Sequence, residues 1–139
     1  MKRINGNLML CVFTAFVLAA IVVCASLGNA EDKAFREDYA RYKEADSAFL
    51  DGKPEEALET YRALTSVFPN AHILEFKAAI CELSLKNYES ALFYGLKTLE
   101  MYPWVAQDSR FLMMMEECYR NIGDDHNAEV IRERSKALE

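Results

Sequence analysis

From Asp32 to Leu50 the apolar side chains Phe35, Tyr39, Tyr42, Ala45 and Phe49 fall at steps of three or four, the period of one helix face. Asp51-Gly52-Lys53-Pro54 closes that run: Gly suits the left-handed position after a helix, and Pro suits the first turn of the next. Glu55 and Glu56 follow, where a helix N-terminus favours negative charge. Ala57, Leu58, Tyr61, Leu64 and Phe68 then make the inner stripe of a second helix, which stops at Pro69. Asn70 is placed to cap a third helix, Ala71 to Lys86. Ile73, Phe76, Ile80 and Leu83 form one stripe along it, and Leu74, Ala78, Cys81 and Leu85 form another. A helix apolar around most of its circumference is expected between neighbours. Asn87 is placed to cap a fourth helix, Tyr88 to Met101, with Ala91, Leu92, Leu96 and Leu99 inward. After Pro103 the pattern loosens. Leu112, Met115, Glu116, Tyr119, Gly123 and Ala128 keep the spacing only with about three extra residues between Tyr102 and Gln107. The last helix, about His126 to Leu138, is mostly charged, with Ala128, Ile131, Ser135 and Leu138 as a thin inner stripe. Strand-like alternation is absent, and an all-α fold is predicted.

The helical pairs repeat. Sliding the stretch 43–69 forward by 34 residues lays Lys43 on Lys77, Ala45 on Ala79, Glu55 on Glu89, Ala57 on Ala91, Leu58 on Leu92 and Pro69 on Pro103. Tyr42 falls on Phe76 and Phe49 on Leu83, so size carries over where identity does not. A fixed period of this length, two helices per unit and a closing Pro, marks a helix-turn-helix solenoid. The chain resembles the tetratricopeptide repeat (TPR) family, whose Ala and Pro positions these are. The resemblance implies a short right-handed solenoid with two clear repeats, about 36–69 and 70–103, and one degenerate repeat, about 107–139. A polar final helix suits the end of such a stack, because its outer face meets water.

Residues 1–30 stand apart from this pattern. Lys2 and Arg3 precede an uncharged run from Leu8 to Leu27, and the small residues Gly28 and Ala30 precede Glu31-Asp32-Lys33. A secretory signal peptide cleaved after Ala30 has this form, and the run also has the length of a membrane-spanning anchor. In either case the basic start stays cytoplasmic, and residues 31–139 are expected outside the cytoplasm, in the periplasm or an equivalent space, free or tethered to the inner membrane. All 22 acidic residues follow Ala30; taking Lys2 and Arg3 from the 16 basic residues leaves 14, and a net charge of −8. That balance argues against a nucleic-acid partner, which needs clustered cations at phosphates.

Two registers are open for the first helices. One is fixed by Pro69 and Pro103, and the family's spacing then turns Tyr42, Phe49, Phe76 and Leu83 towards the concave groove and Arg41, Glu44, Glu75 and Glu82 into the core. Burying unpaired charges is costly, which favours a register shifted by one residue with the aromatic stripe inside. In the shifted register the groove holds Lys43, Ser47, Lys77, Cys81, Ser84, Arg110, Met113, Glu117 and Arg120. Its four cations could receive an acidic segment or a terminal carboxylate, or they could simply solvate an exposed face. Lys43 and Arg110 also match the family's clamp for chaperone tails, but Ser47, Ala78 and Met114 depart from it.

Cys81 and Cys118 would remain after cleavage. A disulfide between them has to be weighed against helix axes about 8–10 Å apart, too far for a bridge that needs Cα atoms within about 7 Å. Small residues at close-packed positions is the other reading. His72 and His126 lie far apart in sequence, and Asp124-Asp125-His126 reads as a helix cap rather than a metal cluster. No phosphate loop, nucleophile elbow or paired His is found, so no catalytic residue, metal or cofactor is expected. The resemblance implies a protein-binding adaptor using its groove. A structural subunit of an envelope complex, docked by its convex face or end helix, is the alternative.

Overall fold

The computed structural model describes the backbone of residues 6–138, and between residues 6 and 30 it describes side chains at scattered positions only. Six α-helices follow in order: α1 Gly6–Leu50, α2 Pro54–Val67, α3 His72–Ser84, α4 Tyr88–Met101, α5 Ser109–Asn121 and α6 Asp125–Lys136. A short 3-10 turn, Pro103–Gln107, separates α4 from α5. The chain divides into two compact units, Met1–Tyr39 and Ala40–Glu139.

The first unit is helix α1 up to Tyr39. The start expected at Asp32 is not there, because no Pro interrupts the sequence before Pro54 and Gly28 alone is a mild helix breaker. Lys33 and Glu37 pair one turn apart at 3.8 Å, while Phe35 and Tyr39, expected to face inward, are exposed. The signal peptide or anchor expected over residues 1–30 falls largely outside the described residues. Among the described residues, no helix is long and apolar enough to cross a membrane.

The second unit is a stack in which each helix packs on the next, α2 on α3, α3 on α4, α4 on α5 and α5 on α6. Its core has two parts. Ala45, Ala57, Leu58, Tyr61, Leu64, Leu74, Ala78 and Cys81 make the first. Ala79, Ala91, Val105, Phe111, Leu112, Met114, Met115 and Cys118 make the second. Helix α3 serves both, which is why it is apolar on two sides. Ala57 and Ala91, one period apart, are both fully buried, so the repeat in sequence is a repeat in packing.

The turns within the pairs are also repeats of one another. Gly52, Lys86 and Gly123 occupy the left-handed position after α1, α3 and α5, at φ of 78°, 60° and 83°. In each, the following amide reaches back five residues to a helix carbonyl: Lys53 to Ala48, Asn87 to Glu82, and Asp124 to Tyr119, all at 2.9 Å. These are Schellman closures, favouring Gly because a Cβ crowds the left-handed conformation. The three extra residues of the third repeat form the 3-10 turn, which tucks Val105 and Ala106 into the core.

Two expected caps are different in the structure. Asn70 does not cap α3, whose N-cap is Ala71 with no side-chain bond. Asn87 stands at the N-cap of α4, but its Nδ2 donates to Glu82 Oε2 at 2.9 Å instead. Asp124 does cap α6, accepting from the Asn127 amide at 3.1 Å. Leu96, expected inward on α4, is exposed, and Gly95 and Thr98 take the inner positions with Ala91.

Candidate interaction surface

The decisive geometry lies on α3. Glu75 and Glu82 are buried, at 0% and 2% exposure, while Phe76, Ile80 and Leu83 between them are only partly covered. On α3 the register fixed by Pro69 and Pro103 therefore holds and the shifted one does not, whereas on α1 its expected core residues Arg41 and Glu44 stay outside. The argument for the shift assumed unpaired charges. In the structure Arg62 of α2 reaches Glu82 Oε1 at 2.5 Å, and Lys97 of α4 reaches Glu75 Oε1 at 2.5 Å. Each second helix thus neutralises an acid on α3, and burial of a paired charge is far less costly than burial of a lone one. Arg41 and Glu44 are exposed.

This register sorts the nine residues expected in the groove. Lys43, Ser47, Ser84, Arg110, Met113, Glu117 and Arg120 are exposed. Cys81 is not at the surface: it is 1% exposed within the first core. Lys77 is half-covered and donates to Asp46 Oδ1 at 2.8 Å, tying α3 to the end of α1. Arg110 pairs with Asp108 at 2.9 Å, and Arg120 pairs with Glu116 one turn before it. Lys77, Arg110 and Arg120, expected to meet a carboxylate ligand, therefore already hold a carboxylate of this chain.

Asp46 is the hub of one such network. Burial pushes its carboxyl up, but the hydrogen bonds from Lys77 and from Tyr61, the latter at 2.6 Å, outweigh this and hold it below the usual carboxylate range. Tyr61 is fully buried, and burial together with the Asp46 acceptor raises its hydroxyl well above the ordinary phenol value.

The two cysteines are free thiols in separate cores, Cys81 in the first and Cys118 in the second. Burial pushes Cys81 up to about 12 and Cys118 up to about 11, so both are protonated and inert near neutrality. Among the described residues, no group of three or more His, Cys, Asp or Glu could hold a metal ion.

The face that the correct register leaves open is formed by the first helix of each pair. It carries the partly exposed Tyr42, Phe49, Phe76, Ile80, Leu83 and Tyr119, and the more exposed Ile73. Phe76 meets the buried Phe111 edge-on, with ring centroids 5.7 Å apart, so its inner side is anchored on the second core. Pro69 and Pro103, 34 residues apart, are the sequence signal for this register on α3.

The architecture is that of a TPR helical-repeat fold. MamA, in a mutant form, matches over 74% of this chain and 73% of its own, with a TM-score of 0.65 and 12% identity. The type III secretion translocator chaperone SycD of Yersinia enterocolitica matches over 72% of this chain and 67% of its own, with a TM-score of 0.64 and 20% identity. The second TPR of Spaghetti (RPAP3), bound to an HSP90 peptide, matches over 73% of this chain and 92% of its own, with a TM-score of 0.65 and 19% identity. At such identities the likeness is one of fold. No protein-family profile and no curated protein matches the chain.

Proposed function

We propose that this chain is a non-enzymatic protein-binding module, an adaptor that holds a protein or peptide segment along the face formed by the first helices of its pairs. The observation that carries this reading is an inversion. Two glutamates of α3 are buried, while the aromatic and aliphatic side chains beside them stay partly in water. A surface that keeps large apolar side chains within reach of solvent is one that a partner can cover. The RPAP3 structure, with a peptide bound, is a neighbour in fold and supports the same use. Because Lys77, Arg110 and Arg120 already hold carboxylates of this chain, the partner is recognised chiefly by apolar side chains.

The reading extends to location. The basic start, the uncharged run and the small residues at Gly28 and Ala30 support export of residues 31–139, either released or tethered. N-terminal sequencing of the protein recovered from membrane and soluble fractions tests this: a mature N-terminus at Glu31 means release, and Met1 in the membrane fraction means tethering. Recovery with Met1 from the cytoplasm overturns it.

Affinity capture with the tagged full chain tests the binding face. Ile73→Asp should lose the partner, whereas Val130→Asp on α6 should keep it. The opposite pattern supports a structural subunit docked by its end helix.

A further inference from the structure

A second feature lies between the second helices, away from the face just described, and does not depend on that reading. Glu75 Oε1 accepts from Lys97, but Glu75 Oε2 is buried with no hydrogen-bond partner among the described residues. A buried carboxylate oxygen left without a donor is unfavourable, so a donor that reached it would be held. Glu75 lines a cleft of about 400 Å³ between α2 and α4.

The walls of this cleft define what fits. Thr65 and Ser66 spend their hydroxyl protons on the Tyr61 and Ala63 carbonyls, at 2.8 and 2.6 Å, and so turn only lone pairs outward. Arg62 and Lys97 are each held by a buried acid, and each retains unused N–H groups. The Arg62 Nε also donates to the Tyr94 hydroxyl at 2.9 Å. Phe93 offers an aromatic ring that is 61% exposed. A cation entering here is repelled by Arg62 and Lys97, and an anion is repelled by Glu75. A neutral group with one donor and one acceptor matches both demands.

We propose that the α2–α4 cleft at Glu75 receives a carboxamide side chain, Asn or Gln, of a partner protein. Its N–H donates to Glu75 Oε2, its carbonyl accepts from Lys97, and its flat face lies on the Phe93 ring. Because Glu75 Oε2 is itself buried, entry requires side-chain movement, which the 41% exposed Lys97 side chain can supply. The site therefore selects a polar, uncharged residue, unlike the apolar row on the first-helix face.

Tethering tests this in the full chain. A Ser66→Cys variant is equilibrated with 3-mercaptopropionamide, 3-mercaptopropionate and cysteamine, each supplied as its symmetrical disulfide with free thiol. Peptide mass mapping then reads occupancy at that thiol, and a Gln107→Cys variant serves as the exposed reference. Relative to the reference, the amide should be enriched over both charged probes by roughly five-fold, the equivalent of about 1 kcal/mol, the net worth of one hydrogen bond. Glu75→Gln and Phe93→Ala should each reduce that enrichment. Phe93 is exposed, so its variant decides the matter even if Glu75→Gln does not fold. Enrichment of the carboxylate or the amine, equal occupancy by all three, or an amide preference unchanged by Phe93→Ala overturns the proposal.

Discussion

Arg62 and Glu82 are 20 positions apart in the chain and 2.5 Å apart in space, joining the second helix of one pair to the first helix of the next. Glu82 is buried and Arg62 half-exposed, and Asn87 supplies a second donor to the same carboxylate. Removing the arginine leaves a buried acid with a weaker neutral partner. Arg62→Ala is expected to lower stability by about 2 kcal/mol, below the range for a fully buried pair because its head group is partly hydrated. The double variant Arg62→Ala, Glu82→Gln should recover part of that loss. Urea unfolding of both proteins checks it.

Lys86 holds the left-handed position that Gly52 and Gly123 hold in the other pairs. A side chain there is strained, and its amide already closes the turn on Leu83 at 2.9 Å. Lys86→Gly should therefore raise stability by about 0.5–1 kcal/mol, the relief of strain exceeding the added freedom of the unfolded chain. A thermal melt should show a rise of a few degrees. The reverse change, Gly52→Lys, should show a fall.

Gly95 of α4 stands against the methionines of α5. A Cβ added there would lie 2.5 Å from Met115 Sδ and 3.0 Å from Met114 Cε, both ends of flexible side chains. Gly95→Ala is expected to be near neutral, because better helix propensity offsets a small methionine shift. Gly95→Leu should cost about 2 kcal/mol by overpacking. Combining it with Met115→Ala should restore part of the loss, a non-additivity that denaturant melts measure directly.

The buried thiols and Asp46 set opposite ends of the pH profile. Asp46 titrates below its ordinary value, so its contribution is present above the unfolded carboxylate pKa of about 3.9 and is lost as pH falls through the lower folded value. Cys81 and Cys118 titrate above theirs, so their contribution is complete below about 8.5 and declines as pH rises towards about 12 and about 11. Urea midpoints measured from pH 3 to pH 10.5 should fall at both ends. Cys81→Ala should flatten the alkaline fall, and Lys77→Ala should flatten the acid one.

The all-α class, the period and the inner stripe of α2 were legible because they rest on spacing, which one sequence displays in full. Ala57, Leu58, Tyr61 and Leu64 are all buried as their positions require. The register of the first helices was harder to read. A charge at a core position is excluded only if nothing reaches it, and Arg62 and Lys97 reach Glu82 and Glu75 from other helices. Neither pair is a neighbour in sequence, so local pattern held no trace of them. Leu96 and the capping role of Asn87 failed for a related reason: tertiary partners took precedence over helical period and cap preference.

The 3-10 turn Pro103–Gln107 absorbs three residues without disturbing the helices on either side of it, since α5 still ends in the same closure as α1 and α3. It behaves as slack in an otherwise fixed pitch. Chain length can change at this junction while both flanking layers keep their grip, which makes it the place where related polypeptides are expected to differ in size.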